Sequence, residues 1–250
     1  RLSLVGSEMC IRDRLETLKF LCVVGTPKGK QVVGFTCSGG GATMLADHAE
    51  KIDLTFPEFK STQQTELSAL LPDIATVSNP LDYTTPIWGH AEMTYPVFAK
   101  AISAIEADTA VLVQDYPAAE IDSSKVYYRN DAMAFARASK EQGLPAIICA
   151  TLPENMDLDT RQLLITKGVA PMQGIHEALN AIRDSADWNQ ARSRILSEKP
   201  EYLLPSYPSG EQKVMPENDS KRWLINHNFN VPSGKTVSPH KLGEAAIEVG

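Results

Sequence analysis

Short runs of β-branched and apolar residues alternate along this chain with stretches of helical spacing. Gln31–Cys37 (QVVGFTC), Thr109–Gln114 (TAVLVQ), Ala146–Ala150 (AIICA) and Val169–Pro171 read as strands. Between and around them, Leu15–Val24, Ala42–Lys51, Gln63–Leu71, Glu92–Glu106, Ser123–Gln142, Leu158–Thr166 and Ile175–Ser185 read as helices. Strands apolar along their whole length, separated by helices of ten or more residues, predict a parallel sheet buried on both faces, an α/β doubly wound architecture.

Composition narrows the function classes. A net charge of −7 with no basic stripe argues against a nucleic-acid backbone as partner. No run approaches the roughly 18 to 20 apolar residues of a membrane span. Cys22, Cys37 and Cys149 show neither paired nor metal-type spacing, the pattern of a reducing, cytoplasmic compartment.

The two ends of the chain depart from the pattern. Residues 1–14 (RLSLVGSEMCIRDR) show neither hydrophobic period, and Leu4–Asp13 resembles the in-frame translation of a common transposon sequencing adapter. They are set aside as an artefact, with Cys10, and excluded from fold reasoning. Dropping residues 1–13 removes Arg1, Glu8, Arg12 and Asp13 and leaves the charge balance unchanged. From Asp187 the apolar pattern loosens, and Pro200, Pro205, Pro208 and Pro216 mark a linker. Beyond it, Asn218 or Asp219 caps a helix through His227, Lys235–Val237 reads as a strand, and Ser238-Pro239 opens a further helix that is still running at Gly250. The chain is therefore expected to be a piece of a longer protein.

In a parallel sheet, ligands gather outside the carboxyl ends of the strands. Ser38-Gly39-Gly40-Gly41 lies at such an end, ahead of the helix beginning near Ala42. Glycines without Cβ let backbone N–H groups close around an anion, and the helix N-terminus adds favourable partial charge, so phosphate is the natural guest. Known fingerprints fail: G-x-G-x-x-G needs Gly at Met44, a Walker loop needs Gly-Lys at Met44 and Leu45, and a nucleophile elbow around Ser38 needs Gly at Thr36. The plainer reading, that the glycines allow close strand-to-helix packing, stays open.

Asn79-Pro80-Leu81-Asp82 is a polar turn that either holds its own loop through side-chain-to-backbone bonds or borders the same crevice. Asp47 beside His48 has no matching acid or base. His90, His176, His227 and His240 have no metal-ligand spacing, so no metal site is expected. Tyr127, Tyr128 and Met133 read as packing residues, and Asp115-Tyr116-Pro117 ends a strand on the ligand side.

Thr36-Cys-Ser-Gly-Gly-Gly41-Ala-Thr-Met-Leu-Ala-Asp47, followed by Leu70-Leu-Pro72 and Ser78-Asn-Pro-Leu-Asp82, resembles the pattern of the ADP-forming acyl-CoA synthetases, relatives of succinyl-CoA synthetase. Glu217–Leu224 with Val231-Pro232 looks like the opening of that family's ATP-grasp domain. Cys37 departs from the family's usual Asn, and Gly40 from a common Pro. The resemblance implies a succinyl-CoA-ligase-like, flavodoxin-like domain over residues 15–186, a linker over 187–215 and a truncated ATP-grasp domain over 216–250. It implies a ligase that makes acyl-CoA from a carboxylic acid, CoA and ATP with Mg²⁺, through acyl-phosphate and phosphohistidine intermediates. Ser38, Gly39, Gly40 and Gly41 would receive the phosphohistidine, and Asn79 and Asp82 would neighbour the substrate. The carrier histidine is expected upstream, in a CoA-binding part of the same protein, and none of the five histidines here takes that role. Homo-oligomerisation stays open. So do two other readings, a non-catalytic CoA or acyl-phosphate sensor and an unrelated flavodoxin-like nucleotide binder.

Overall fold

The computed structural model describes residues 2–117, 123–198 and 214–249. The larger of two compact units runs to Lys199 and contains a five-stranded, all-parallel sheet in the order β2-β1-β3-β4-β5. Its strands are β1 Val32–Thr36, β2 Leu81–Asp82, β3 Thr109–Val113, β4 Ala146–Ala150 and β5 Val169–Gln173. This 2-1-3-4-5 order is that of flavodoxin-like doubly wound folds.

Alternation along each strand divides the core. Val33 and Phe35 of β1, Ala110 and Leu112 of β3 and Ile148 of β4 face one layer, which holds α3 (Ser61–Ser68), α4 (Ala91–Ala104), α5 (Lys125–Glu141) and α6 (Leu158–Thr166). Val32, Val111, Val113, Ile147 and Cys149 face the other, which holds α1 (Leu2–Val24), α2 (Gly39–Lys51) and α7 (Ile175–Glu198). Both faces of the sheet are thus covered, and Phe35, Phe98 and Phe135 meet edge to face in the first layer.

Outside the glycine turn, the larger unit departs from the sequence expectations most clearly in three elements. Helix α1 begins at Leu2 rather than Leu15, so the helical backbone continues through the residues set aside above. Asp187–Glu198 is helical, which puts the expected domain boundary at 186 inside α7. That stretch leaves Trp188, Ile195 and Leu196 exposed, and its start is held by Lys30 on Asp187 (2.7 Å) and by Asn189 Nδ2 donating to Pro27 O (3.1 Å). The proline-rich segment from 199 to 213 lies outside the described residues. Third, Asn79–Asp82, expected as a polar turn, runs into regular structure, because β2 starts at Leu81 and pairs with β1 through Phe35↔Leu81 and Thr36↔Asp82.

Before that pairing begins, the β1 edge is completed by other means. Gln31 bridges Thr55, and then the Asn79 amide takes the place of a strand partner. Its Oδ1 accepts from Gly34 N (2.9 Å), and its Nδ2 donates to Val32 O (2.9 Å) and Pro57 O (3.0 Å). Gly34 itself has no room for a side chain: a Cβ there would stand 2.8 Å from Phe56 Cε1 and 3.0 Å from Pro80 Cβ. Gly34→Ala is expected to lower the unfolding free energy by about 2 kcal/mol through overpacking, read as an earlier urea midpoint with an unchanged slope.

In the smaller unit, α8 spans Glu217–Asn226 and α9 spans Leu242–Val249 after a 3₁₀ turn at Pro239–Lys241. Asn218 and Asp219 stand in the first turn of α8 rather than at its cap, and Lys235–Val237, expected as a strand, is irregular.

Candidate functional site

In the 2-1-3-4-5 order the chain reverses its direction of winding between β1 and β3, and the crevice at that switch point opens beyond their carboxyl ends. Ser38–Gly41 follows β1 at that place. The glycines form the first turn of α2 and are not a loop before it: Ser38 is the N-cap, extended at φ −147°, and Ala42 N makes the first helical bond to Ser38 O (3.2 Å). The N–H groups of Gly39, Gly40 and Gly41 precede that bond and are left for an outside acceptor. No acidic side chain stands in the turn and Ser38 makes no side-chain cap, so the helix's positive end is uncompensated from within.

Each glycine has its own spatial reason. A Cβ on Gly41 would meet Thr36 Oγ1 at 2.6 Å, so α2 could not start this close to β1 with any other residue there. At Gly40 the nearest atom is Ser38 Oγ at 3.6 Å and at Gly39 it is Asp82 Oδ2 at 3.7 Å, which leaves the approach to the N–H groups open. The Thr36 hydroxyl also accepts from Ser38 N (3.3 Å) and thereby fixes the entry to the turn.

Asp82 borders this turn from the end of β2. Its Oδ1 accepts from Thr84 N (2.9 Å), holding Thr84 at φ +66°, while Oδ2 faces Gly39. Asn79 is close in sequence, but its amide is bonded to β1 and Pro57 as described above. Cys37 lies half-buried between β1 and α2, its thiol pushed up first by burial and then by the charges of Asp131 and Asp82, which keeps it protonated and a poor nucleophile.

Behind the end of β2 lies a buried polar cluster that the sequence reading did not single out. Asp131 of α5 is fully buried and accepts from Tyr83 OH, Gly89 N and Thr94 Oγ1, each at 3.0 Å. Burial raises its carboxyl above the usual range, opposed by these three donors. Tyr83 follows β2 directly, and burial next to Asp131 holds its phenol well above the ordinary value. Gln114, after β3, accepts from Tyr116 OH (2.8 Å).

The other residues noted in the sequence fall elsewhere. The Asp115 carboxylate is taken up by Thr151 N (2.8 Å), Thr151 Oγ1 (2.7 Å) and Asn155 Nδ2 (3.0 Å), a clamp between the ends of β3 and β4. Asp47 is exposed, and His48 stacks on His176 at 3.8 Å between ring centroids, joining α2 to α7. Trp88 packs against Tyr127 and Tyr128. Among the described residues no group of three or more His, Cys, Asp or Glu is placed to hold a metal ion, and no helix is long and apolar enough to cross a membrane.

The fold is shared with an acetyl-coenzyme A synthetase. Dinucleotide forming acetyl-coenzyme A synthetase 1 of Ca. Korarchaeum cryptofilum, in complex with phosphate and ADP, superposes with a TM-score of 0.57 at 17% identity over 76% of this chain and 39% of its own. The apo form of the same protein gives 0.59 at 17% identity, over 76% and 40%. PH0766 from Pyrococcus horikoshii OT3 gives 0.60 at 20% identity, over 72% and 40%. At these identities the likeness is one of fold, and this chain spans about 40% of the length of each structure. No protein-family model and no curated protein matches the chain.

Proposed function

We propose that this chain is the phosphoryl-receiving part of an acid-CoA ligase that forms acyl-CoA, ADP and phosphate from a carboxylic acid, CoA and ATP. The observation that carries the reading is the open glycine turn of α2, placed at the switch point of a fold shared with an acetyl-coenzyme A synthetase. In the reaction, a carboxylate oxygen of the acid attacks phosphorus on a carrier phosphohistidine, the P–N bond breaks and an acyl phosphate forms. The CoA thiolate then attacks the acyl carbon and expels phosphate. The N–H groups of Gly39, Gly40 and Gly41, with Ser38, hold the phosphoryl oxygens and disperse the charge that builds on them during transfer.

Asp82 has a complementary role. A carboxylate oxygen beside Gly39 repels a phosphoryl group, so its partner is a proton-bearing group, the free ring N–H of the incoming histidine. Asn79 acts by setting the β2 edge from which Asp82 projects. The carrier histidine and the CoA-binding part belong upstream, and residues 216–250 open the ATP-grasp part that binds ATP. Mg²⁺ accompanies that nucleotide and is given no ligand among the residues described here.

Gly40→Val tests the assignment cleanly, because open space at that position spares the fold while a branched side chain covers the turn. In the protein together with its carrier-histidine and ATP-grasp parts, acid- and CoA-dependent ADP release is expected to fall at least tenfold, with unchanged thermal unfolding. Wild-type turnover in the folded variant would overturn the role of the turn. Absence of acid-labile phosphate on histidine after incubation with labelled ATP would instead favour a sensor.

A further inference from the structure

We infer that the opposite edge of the sheet carries a second ligand site, for a phosphate-bearing small molecule, between the C-terminal ends of α5 and α6. A cavity of about 530 Å³ opens there, lined by Ser139, Lys140 and Lys167 with Val23, Val24 and Leu144. An adjoining cavity of about 680 Å³ shares Lys140 and Lys167 and adds Met133 and Arg137. Both fall within the roughly 300–1,000 Å³ range of small-molecule sites. The place is distinct from the glycine turn, since it lies where β4 and β5 begin and not where β1 ends.

The two lysines are not needed to cap their helices. Gly143 (φ +63°) and Gly168 (φ +75°) turn the chain out of α5 and α6, and the last carbonyls are met by backbone: Gly143 N bonds Lys140 O, Leu144 N bonds Ser139 O, Lys167 N bonds Leu164 O and Gly168 N bonds Ile165 O. Among the described residues neither ammonium has an ion-pair partner. Arg137, by contrast, is already engaged by Glu141 (2.9 Å) and stacked over Tyr95.

Ser139 gives an independent indication. Its side chain is 1% exposed, it lines the first cavity, and among the described residues its hydroxyl has no hydrogen-bond partner. A helical serine ordinarily returns its hydroxyl to the carbonyl one turn back, and a buried hydroxyl left without a partner is uncommon enough to call for an explanation. Two ammonium groups without ion-pair partners, at a cavity whose wall holds a buried unpaired hydroxyl, suit a phosphate monoester, since charge-assisted bonds to phosphate oxygens are the strong ones. The helix ends carry partial negative charge, and two full positive charges outweigh it. The Val23, Val24 and Leu144 wall then takes the organic body of the ligand, as in a nucleoside monophosphate.

The test is an amide-resolved NMR titration of the 250-residue chain with AMP, adenosine and inorganic phosphate. AMP is expected to shift the amides of Ser139–Leu144 and Ile165–Val169, inorganic phosphate the same amides more weakly, and adenosine none of them. Lys140→Gln combined with Lys167→Gln, both exposed positions, should weaken AMP at least tenfold, and Ser139→Ala should weaken it several-fold. Absence of shifts at millimolar AMP, shifts by adenosine equal to those by AMP, or unchanged affinity in the double lysine variant would each overturn the site.

Discussion

Replacing Asp131 by alanine is expected to lower the unfolding free energy of the larger unit by about 4 kcal/mol, the largest single-residue effect outside the apolar core. The carboxylate gathers Tyr83 OH, Gly89 N and Thr94 Oγ1 at one buried point and so ties the end of β2, the turn after it, α4 and α5 together. Alanine leaves three buried donors without an acceptor, each costing about 1–3 kcal/mol. Relief of the buried charge returns part of that sum. For a unit of this size, a loss of about 4 kcal/mol corresponds to a Tm lower by about 8–16 °C. Asp131→Asn keeps an oxygen for Gly89 and Thr94 and lets the Tyr83 hydroxyl turn to accept, so it should cost about 1 kcal/mol. Equal melting of the alanine and wild-type proteins would mean that the three donors find other partners.

The same residue sets a pH dependence whose direction follows from its surroundings. Burial holds the Asp131 carboxyl above the unfolded value of about 3.9. The fold therefore favours the protonated acid, and the stability it contributes is complete below about pH 4 and lost as pH rises through the raised native value. Asp157 runs the other way. Burial opposes its charge, but Lys125 and the N–H and hydroxyl of Thr160 outweigh burial and hold the carboxyl well below its ordinary range, so its contribution is present above about pH 4 and lost in acid. The two windows lie on opposite sides of pH 4. Stability measured from pH 4 upward should decline in wild type and be flatter in Asp131→Asn, and an identical decline in both would assign it to another group.

The parts of the fold legible from sequence were those whose signal is local. VVGFT, TAVLV and AIICA are apolar on both faces because helices cover both faces of the sheet, and α6 begins and ends where Asp157 and Gly168 place it. Strand β2 was not legible, since two residues carry no periodicity and their pairing depends on β1, more than 40 positions away. Helix α2 starts three residues before the apolar spacing indicates, because glycine is a poor helix former and carries no helical signal. Tertiary contact overrides that preference here, with Thr36 filling the space a side chain on Gly41 would need. The glycine turn itself announced the candidate site. Its support did not: Tyr83 and Asp131 are 48 residues apart, and nothing in either neighbourhood marks them as partners.

Asn79→Ala is the second large effect, expected at about 3 kcal/mol, and it separates holding the fold from contacting a ligand. Both polar atoms of the amide are committed to backbone, Oδ1 to Gly34 N and Nδ2 to Val32 O and Pro57 O. Removing them leaves a gap in the edge of β1 exactly between the Thr55 bridge and the β2 pairing, with three buried or half-buried backbone groups unmet at about 1 kcal/mol or more each. Asp82 would then project from a loosened edge, so ligand binding should weaken together with stability. Asp82→Asn keeps an oxygen for Thr84 N and leaves the edge intact, so it should change transfer chemistry while Tm moves by no more than about 2 °C, the shift of less than 1 kcal/mol in a unit of this size. Coupled loss at Asn79 and uncoupled loss at Asp82 is the expected pair of results. An Asn79→Ala protein as stable as wild type but unable to bind phosphate would reverse the assignment and make its amide a direct ligand contact.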